Sequence, residues 1–254
     1  MLMKLLILSD VHGNVDALRA IWKEEQDSDK IYCAGDLTDY GAFPEEVIRW
    51  MREHHAEVVC GNHDLHTIHV YEKTCWQSVG DKEFKWVHHG CGRLGEEEIN
   101  YLKNLPDILC FEADGVEYVM THQFDSEYGV IENMDQFERF WEEARGTKGK
   151  MGRARRIIFG HTHRHCIHIL GDSVCWLNPG SVSYRRPDDP CKEAQYIVID
   201  NGKMYLKGVS YDRSRSFAVA VEYLKSGNMM ESELQDAMFF FGNAATSRDP
   251  LPEL

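Results

Sequence analysis

The sequence predicts an α/β fold with sheets inside and helices outside, and three observations carry that prediction. Short apolar runs rich in β-branched residues recur along the chain, and amphipathic helical patterns separate the early ones. Each early run also ends in acids, histidines or an asparagine. Strand, helix, strand at this spacing means parallel pairing through crossover helices, whereas the closely spaced later runs read as antiparallel.

In chain order the strands are expected at 5–8, 31–34, 57–60, 116–120, 157–159, 166–170, 174–177, 196–199 and 204–209. Helices are expected at 15–25, 44–54, 96–102 and 135–145, with two more near the C-terminus at 217–224 and 231–241. The opening MLMKLLIL is short, lacks a small-residue cleavage site and runs into Ser9 and Asp10, so it reads as a strand rather than a signal segment. Glu96, Glu97 and Glu98 suit the first turn of a helix, where negative charge meets the positive end of its dipole. Phe239, Phe240 and Phe241 read as packing. No fixed-period repeat and no Pro/Gly/Ser-rich linker divides the chain, which predicts one domain over 1–254, its C-terminal helical segment at about 214–254.

Composition narrows the function. The 254 residues carry 28 basic and 42 acidic side chains, a net charge of −14 that opposes general attraction to nucleic acid or anionic lipid. With 43% hydrophobic and 28% charged residues the chain is neither low-complexity nor disordered, and no run reaches the roughly 18 apolar residues of a membrane span. Eight cysteines are scattered singly with no CxxC pair, which predicts reduced thiols and a cytoplasmic setting. Cys33 and Cys60 read as small fillers at strand ends. The basic run from Lys148 to Arg156 enters the amino end of a strand, roughly 15 Å from that strand's other end at about 3.3 Å per residue, and reads as a solvated loop.

The polar strand ends carry the chemistry. Asp10 and His12 follow the first strand, Asp36 and Asp39 the second, Asn62, His63 and Asp64 the third; His122 follows 116–120, and His161 and His163 follow 157–159. In a parallel sheet the carboxyl ends share one edge, and ligands bind there, so five segments are expected to converge. Asp10/His12 and His161/His163 are i, i+2 pairs, whose members project to one side of extended chain. Acids, imidazoles and one amide without thiolate suit Mn, Fe, Ni or Zn in a hydrolytic site better than structural zinc or an all-oxygen calcium cage.

DVHGN (10–14), GDLTDYG (35–41), GNHD (61–64), THQ (121–123) and GHTH (160–163) together resemble the ordered signature of the calcineurin-like metallophosphoesterase superfamily. NPGSVSYRRPDDP (178–190), YIVID (196–200) and GVSYD (208–212) resemble the tail of its small bacterial and archaeal phosphodiesterase branch, so the likeness covers roughly 4–225. The resemblance implies a four-layer α/β/β/α sandwich holding two divalent transition-metal ions, manganese first among the candidates. One ion is expected on Asp10, His12, Asp36 and His163, the other on Asp36, Asn62, His122 and His161. It implies hydrolysis of a small phosphorylated substrate, diester or monoester, by direct attack of a metal-bridging hydroxide, without a phosphoenzyme.

His63 is by the same resemblance the metal-free acid that protonates the departing alkoxide, and Asp39 the acid that orients it. Phosphoprotein phosphatases read GDxVDRG in the second block; here Asp39 is kept but Tyr40 stands where their phosphate-clamping arginine does, and the small phosphodiesterases commonly carry glycine at the Asp39 position. A phosphoprotein phosphatase or dinucleoside-polyphosphate hydrolase is therefore the alternative, favoured by Asp39 and disfavoured by Tyr40. A non-catalytic scaffold on this fold has no need of the full ligand set. Candidate substrate contacts are Asn62, His165, Arg186, which matches the family's loop arginine, and Asn14, which suits phosphate contact or a helix cap equally.

Overall fold

The computed structural model describes residues 2–125, 128–146, 152–183 and 191–252. The chain begins β1 (Lys4–Leu8), α1 (Val15–Glu24), β2 (Lys30–Cys33), α2 (Pro44–Glu53), β3 (Glu57–Val58) and α3 (Asn62–Glu72). It continues α4 (Trp86–Arg93), α5 (Glu96–Lys103), β4 (Ile108–Ala113), β5 (Val116–Thr121), α6 (Met134–Arg145) and β6 (Arg155–Ile158). Last come β7 (Cys166–Gly171), β8 (Val174–Asn178), β9 (Ala194–Asp200), β10 (Lys203–Val209), α7 (Ser214–Ser226) and α8 (Glu231–Phe240).

Two five-stranded sheets result, ordered β10-β9-β1-β2-β3 and β4-β5-β6-β8-β7. The α/β expectation holds in both: β1, β2 and β3 pair in parallel, as do β5, β6 and β8, while β9–β10, β1–β9 and β7–β8 are antiparallel. Sequence reading missed β4, α3 and α4. β4 pairs antiparallel with β5 at the edge of the second sheet.

Alternation along β1 explains the layering. Leu5 and Ile7 face the second sheet in a core shared with Tyr32, Val59, Tyr118, Met120, Ile158 and Leu177. Leu6 and Leu8 face the other way, into a core with α1, α2, α5 and the C-terminal helices. A third cluster seats Phe137 and Trp141 of α6 on Val119 and Ile157 of the second sheet. With both faces covered over the inner strands, β1, β5, β6, β8 and β9 are buried almost throughout, whereas the edge strands β4, β7 and β10 are half-exposed. The aromatic triplet Phe239, Phe240 and Phe241 is buried in the first core, and Glu98 accepts from the Gly95 amide at the head of α5 (2.9 Å).

Register places the site. Leu8 pairs with Cys33 and Cys33 with Val58, so the segments after β1, β2 and β3 leave one edge side by side. Met120 pairs with Ile158 and Ile158 with Leu177, which aligns the same edge of the second sheet. Gly160 joins the two edges: a Cβ there would sit 1.9 Å from Ser9 Oγ and 2.7 Å from an Asp10 carboxylate oxygen, so only glycine permits the approach.

Candidate metal centre

Three of the five predicted blocks, those at 10–14, 35–41 and 160–163, leave their strands in contorted turns. Asp10, His12, Asp36, Asp39, Tyr40, His161 and His163 all have positive φ, as do only four other non-glycine residues among those described. Such conformations cost energy unless the surroundings enforce them, and here they aim side chains inward. Asp64 is one enforcer that sequence reading left without a role: its carboxylate accepts from the amides of Asp36, Leu37, Thr38 and Gly61 at 3.0–3.1 Å, and from the Thr38 hydroxyl. Its only signal in the sequence is its place in GNHD. Burial, with the Asp36 charge beside it, pushes its carboxyl up to about 6. Asn178 is a second missed support: its amide donates to the Gly160 carbonyl (2.8 Å).

Asp10, His12, Asp36, Asn62, His122, His161 and His163 meet at this edge. His163 Nε2 lies 3.0 Å from Asp10 Oδ1, and His122 Nε2 lies 3.2 Å from Asp36 Oδ2. His12 Nε2 sits between the two acids, 4.0 Å from Asp10 and 3.9 Å from Asp36. Asn62 Oδ1 faces His122 Nε2 at 2.8 Å and His161 Nδ1 at 2.9 Å. Two donor sets thus emerge, one with Asp10, His12 and His163, the other with Asp10, Asp36 and His122.

These residues fit divalent cations on physical grounds. Both acids are essentially fully buried, and the ion-pair contacts at up to 4.0 Å that bring them positive charge come from histidines, while Asp36 and Asp10 also repel each other. Buried carboxylates need compensating positive charge. His12 Nδ1 donates to the Thr38 carbonyl (3.1 Å) and His122 Nδ1 to the Ala34 carbonyl (2.7 Å), which fixes both tautomers and turns the Nε2 lone pairs toward carboxylate oxygens. Lone pair against carboxylate is repulsive unless a proton or a metal ion lies between. Without an ion the protein answers with protons: burial opposes charge on His122, yet Asp36 outweighs it and pushes the imidazole up to about 10. Burial holds His12 down near 4, while Asp10 and Asp36 stay below the ordinary carboxylate range because neighbouring histidines overcome their desolvation. His161 and His163 complete an N/O set without thiolate, which suits borderline dications.

His63 stands beside this cluster. Its Nδ1 lies 2.9 Å from Asp39 Oδ2, and its backbone N–H donates to Asp36 Oδ1 (2.8 Å). Burial works against its charge, but Asp39 and the charges of Asp36 and Asp10 raise its pKa above the ordinary value. Burial also disfavours the Asp39 carboxylate, and hydrogen bonds from His63 and His66 hold it well below its usual range. The Tyr40 ring packs against His63 (4.7 Å between centroids) and His12 (5.3 Å).

Of the remaining candidates, Asn14 accepts from Ala17 N as a helix cap, and its amide donates to Ser183 Oγ and Tyr211 Oη (both 2.9 Å). His165 Nε2 donates to the Tyr196 carbonyl (2.9 Å). Arg186 lies outside the described residues, with Arg185, Lys148 and Lys150. Arg153 and Arg155 of the basic run pair with Glu112 and Glu138, and Arg156 with the Tyr118 hydroxyl. Burial raises the thiols of Cys33 and Cys60, the latter to about 12, consistent with inert fillers. Tyr128, three-quarters exposed, stacks on His161 (4.9 Å) and carried no sequence signal.

Residues 3–202 match the calcineurin-like phosphoesterase superfamily domain. The chain belongs to this family. This makes the protein a phosphoric ester hydrolase, and the family implies divalent metal ions, for which the donor groups above are the candidates. It is 24% identical over 234 residues to the uncharacterised protein MJ0912 of Methanocaldococcus jannaschii, covering 85% of this chain and 91% of that one. It is also 30% identical over 125 residues to the symmetrical bis(5'-nucleosyl)-tetraphosphatase of Photorhabdus laumondii, covering 47% of this chain and 44% of that enzyme, under half its length. In fold it is similar to a metallophosphoesterase from Sphaerobacter thermophilus (TM-score 0.67, 20% identity, 94% of this chain and 100% of that one). The protein PH1004 from Pyrococcus horikoshii is also similar in fold (TM-score 0.70, 16% identity, 94% and 98% of the two chains). No described helix is long and apolar enough to cross a membrane.

Proposed function

We propose that this family member is a dinuclear-metal phosphoesterase that cleaves small phosphodiesters, phosphomonoesters or both. One ion is held by Asp10, His12, Asp36 and His163, and the other by Asp36, Asn62, His122 and His161. The observation that carries the reading is Asp36, whose buried carboxylate lies between His122 at 3.2 Å and His12 at 3.9 Å, where one side chain can bridge two cations. Mn is our first choice of ion, ahead of Fe, Ni and Zn. When bound, such a pair acidifies water and neutralises phosphoryl charge.

The chain's own groups do the rest. With Nδ1 committed to Asp39, His63 keeps Nε2 to hand a proton to the departing alkoxide, as a general acid should. Tyr40 brings an aromatic ring, not a cation, to the edge of the site, which weakens selection for a doubly charged monoester. Asn62 and Arg186 are assigned to substrate phosphate, whereas Asn14 is bonded to Ala17, Ser183 and Tyr211 and His165 to the Tyr196 carbonyl, which suits them to shaping the pocket.

A dinucleoside-polyphosphate hydrolase is the second reading, favoured by the match over 125 residues to the symmetrical tetraphosphatase. The whole chain is taken to work as one domain, because α7 and α8 share the apolar cluster of the first sheet. A reducing, cytoplasmic setting goes with this reading, and the seven cysteines with described side chains are all free.

The test is bound metal after purification, with parallel turnover of bis(p-nitrophenyl) phosphate, p-nitrophenyl phosphate and diadenosine tetraphosphate under Mn, Ni, Zn and Mg. Metal-dependent cleavage, with the diester cleaved at least as efficiently as the monoester, is expected. No turnover with any ion overturns the reading, and preference for the tetraphosphate promotes the second one.

A further inference from the structure

Beside the proposed ligand sets lies another convergence of donors. His63 and His66 stand one turn apart on α3, so their side chains share a face. Asp39 lies against both, its Oδ2 being 2.9 Å from His63 Nδ1 and 3.5 Å from His66 Nδ1. One donor atom from each of the three residues is within 4.8 Å of the other two. Zinc bonds of about 2.0–2.1 Å in tetrahedral geometry set ligand atoms roughly 3.4 Å apart; the two imidazole nitrogens lie 2.9 and 3.5 Å from the Asp39 oxygen and within 4.8 Å of each other, a set that small side-chain shifts bring to that spacing.

Exposure is graded across the set. The Asp39 side chain is 6% exposed, that of His63 21% and that of His66 48%, so the group opens to solvent at its His66 end. That leaves an entry path and room for water as a fourth ligand. Two imidazoles and one carboxylate favour zinc over magnesium or manganese.

We propose that Asp39, His63 and His66 form a separate, solvent-reached zinc site, and that zinc held there inhibits the enzyme by taking His63 out of proton donation. Zinc coordinates His63 Nδ1 and His66 Nδ1, and any protons on those nitrogens leave to solvent. No bond to substrate forms or breaks in this step. Zinc-bound His63 keeps its Nε2 proton, but giving it up would leave an imidazolate, so donation to a leaving alkoxide is suppressed. The inhibitory half rests on the role proposed above for His63; the binding half does not.

Zinc counted per chain after dialysis against excess zinc separates the two. Wild type is expected to hold one equivalent more than His66→Gln, a change at a half-exposed position. Equal counts overturn the site. A difference of one, with both chains lacking the two ions of the main centre, keeps the site and removes the dinuclear reading. In manganese-loaded enzyme, His66→Gln should raise the inhibitory zinc concentration about 10–100-fold, and the inhibition should be stronger on alkyl than on p-nitrophenyl esters. Equal sensitivity of wild type and variant overturns the inhibitory half.

Discussion

His63 Nδ1 lies 2.9 Å from Asp39 Oδ2, and this contact fixes which imidazole nitrogen remains for chemistry. If that nitrogen protonates the leaving group, its loss must be felt most where the leaving group is poor. His63→Ala is expected to slow an alkyl ester about 10²–10⁴-fold while slowing a p-nitrophenyl ester much less. Comparing kcat for the two substrates in wild type and variant checks this. Equal loss on both would assign His63 to phosphate binding instead.

Gly61 is pinned by Asp36. A Cβ at Gly61 would stand 2.1 Å from Asp36 Oδ1 and 2.3 Å from Asp36 N, so alanine must displace the carboxylate proposed to bridge the ions. Gly61→Ala should weaken metal binding about 10–100-fold, read by metal titration, with the fold retained by circular dichroism.

Asp64 holds the loop that carries Asp36 and Asp39 by accepting four backbone amides. Asp64→Asn turns an acceptor into a group that is half donor, leaving at least one buried N–H unsatisfied. A loss of about 1–3 kcal/mol is expected, measured by urea unfolding of metal-free protein.

Glu25 supplies a pH signature of stability far from the site. Buried, it accepts from the Tyr196 hydroxyl (2.9 Å) and pairs with Lys4 (2.9 Å) and with Lys207. Burial alone would raise its pKa, but hydrogen bonds from Lys207, Lys4 and Tyr196 outweigh it and lower the value. A folded pKa below the unfolded value of about 4.3 means a stabilisation present above that pH and lost as pH falls through the folded pKa. Glu25→Gln should cost about 1–3 kcal/mol at pH 7, toward the low end because Lys207 is 42% exposed. The gap in Tm between wild type and variant should close below about pH 4.

Much of the fold was legible because β1, β2, β5 and β6 are buried on both faces and each is followed by a polar block whose residue types are unusual there. The misses have physical causes. In α3 the buried residues are Asp64 and Thr67 while Leu65 is 56% exposed, so the apolar pattern that marks a helix is inverted by the needs of the site. β4 is an edge strand whose residues are mostly half-buried or exposed, and α4 carries two glycines and two histidines within eight residues. The convergence of the seven predicted ligand residues follows from strand ends aligned in register. The role of Asp64 was not legible, since a carboxylate that receives backbone amides looks the same in sequence as one that faces an ion.

The most direct test of the central claim is manganese titration of the metal-free protein followed by electron paramagnetic resonance. Two equivalents giving the spectrum of a magnetically coupled pair, abolished by Asp36→Ala, is the predicted result. Retention of no manganese, or the hyperfine pattern of isolated ions at full loading, would contradict a centre bridged by Asp36.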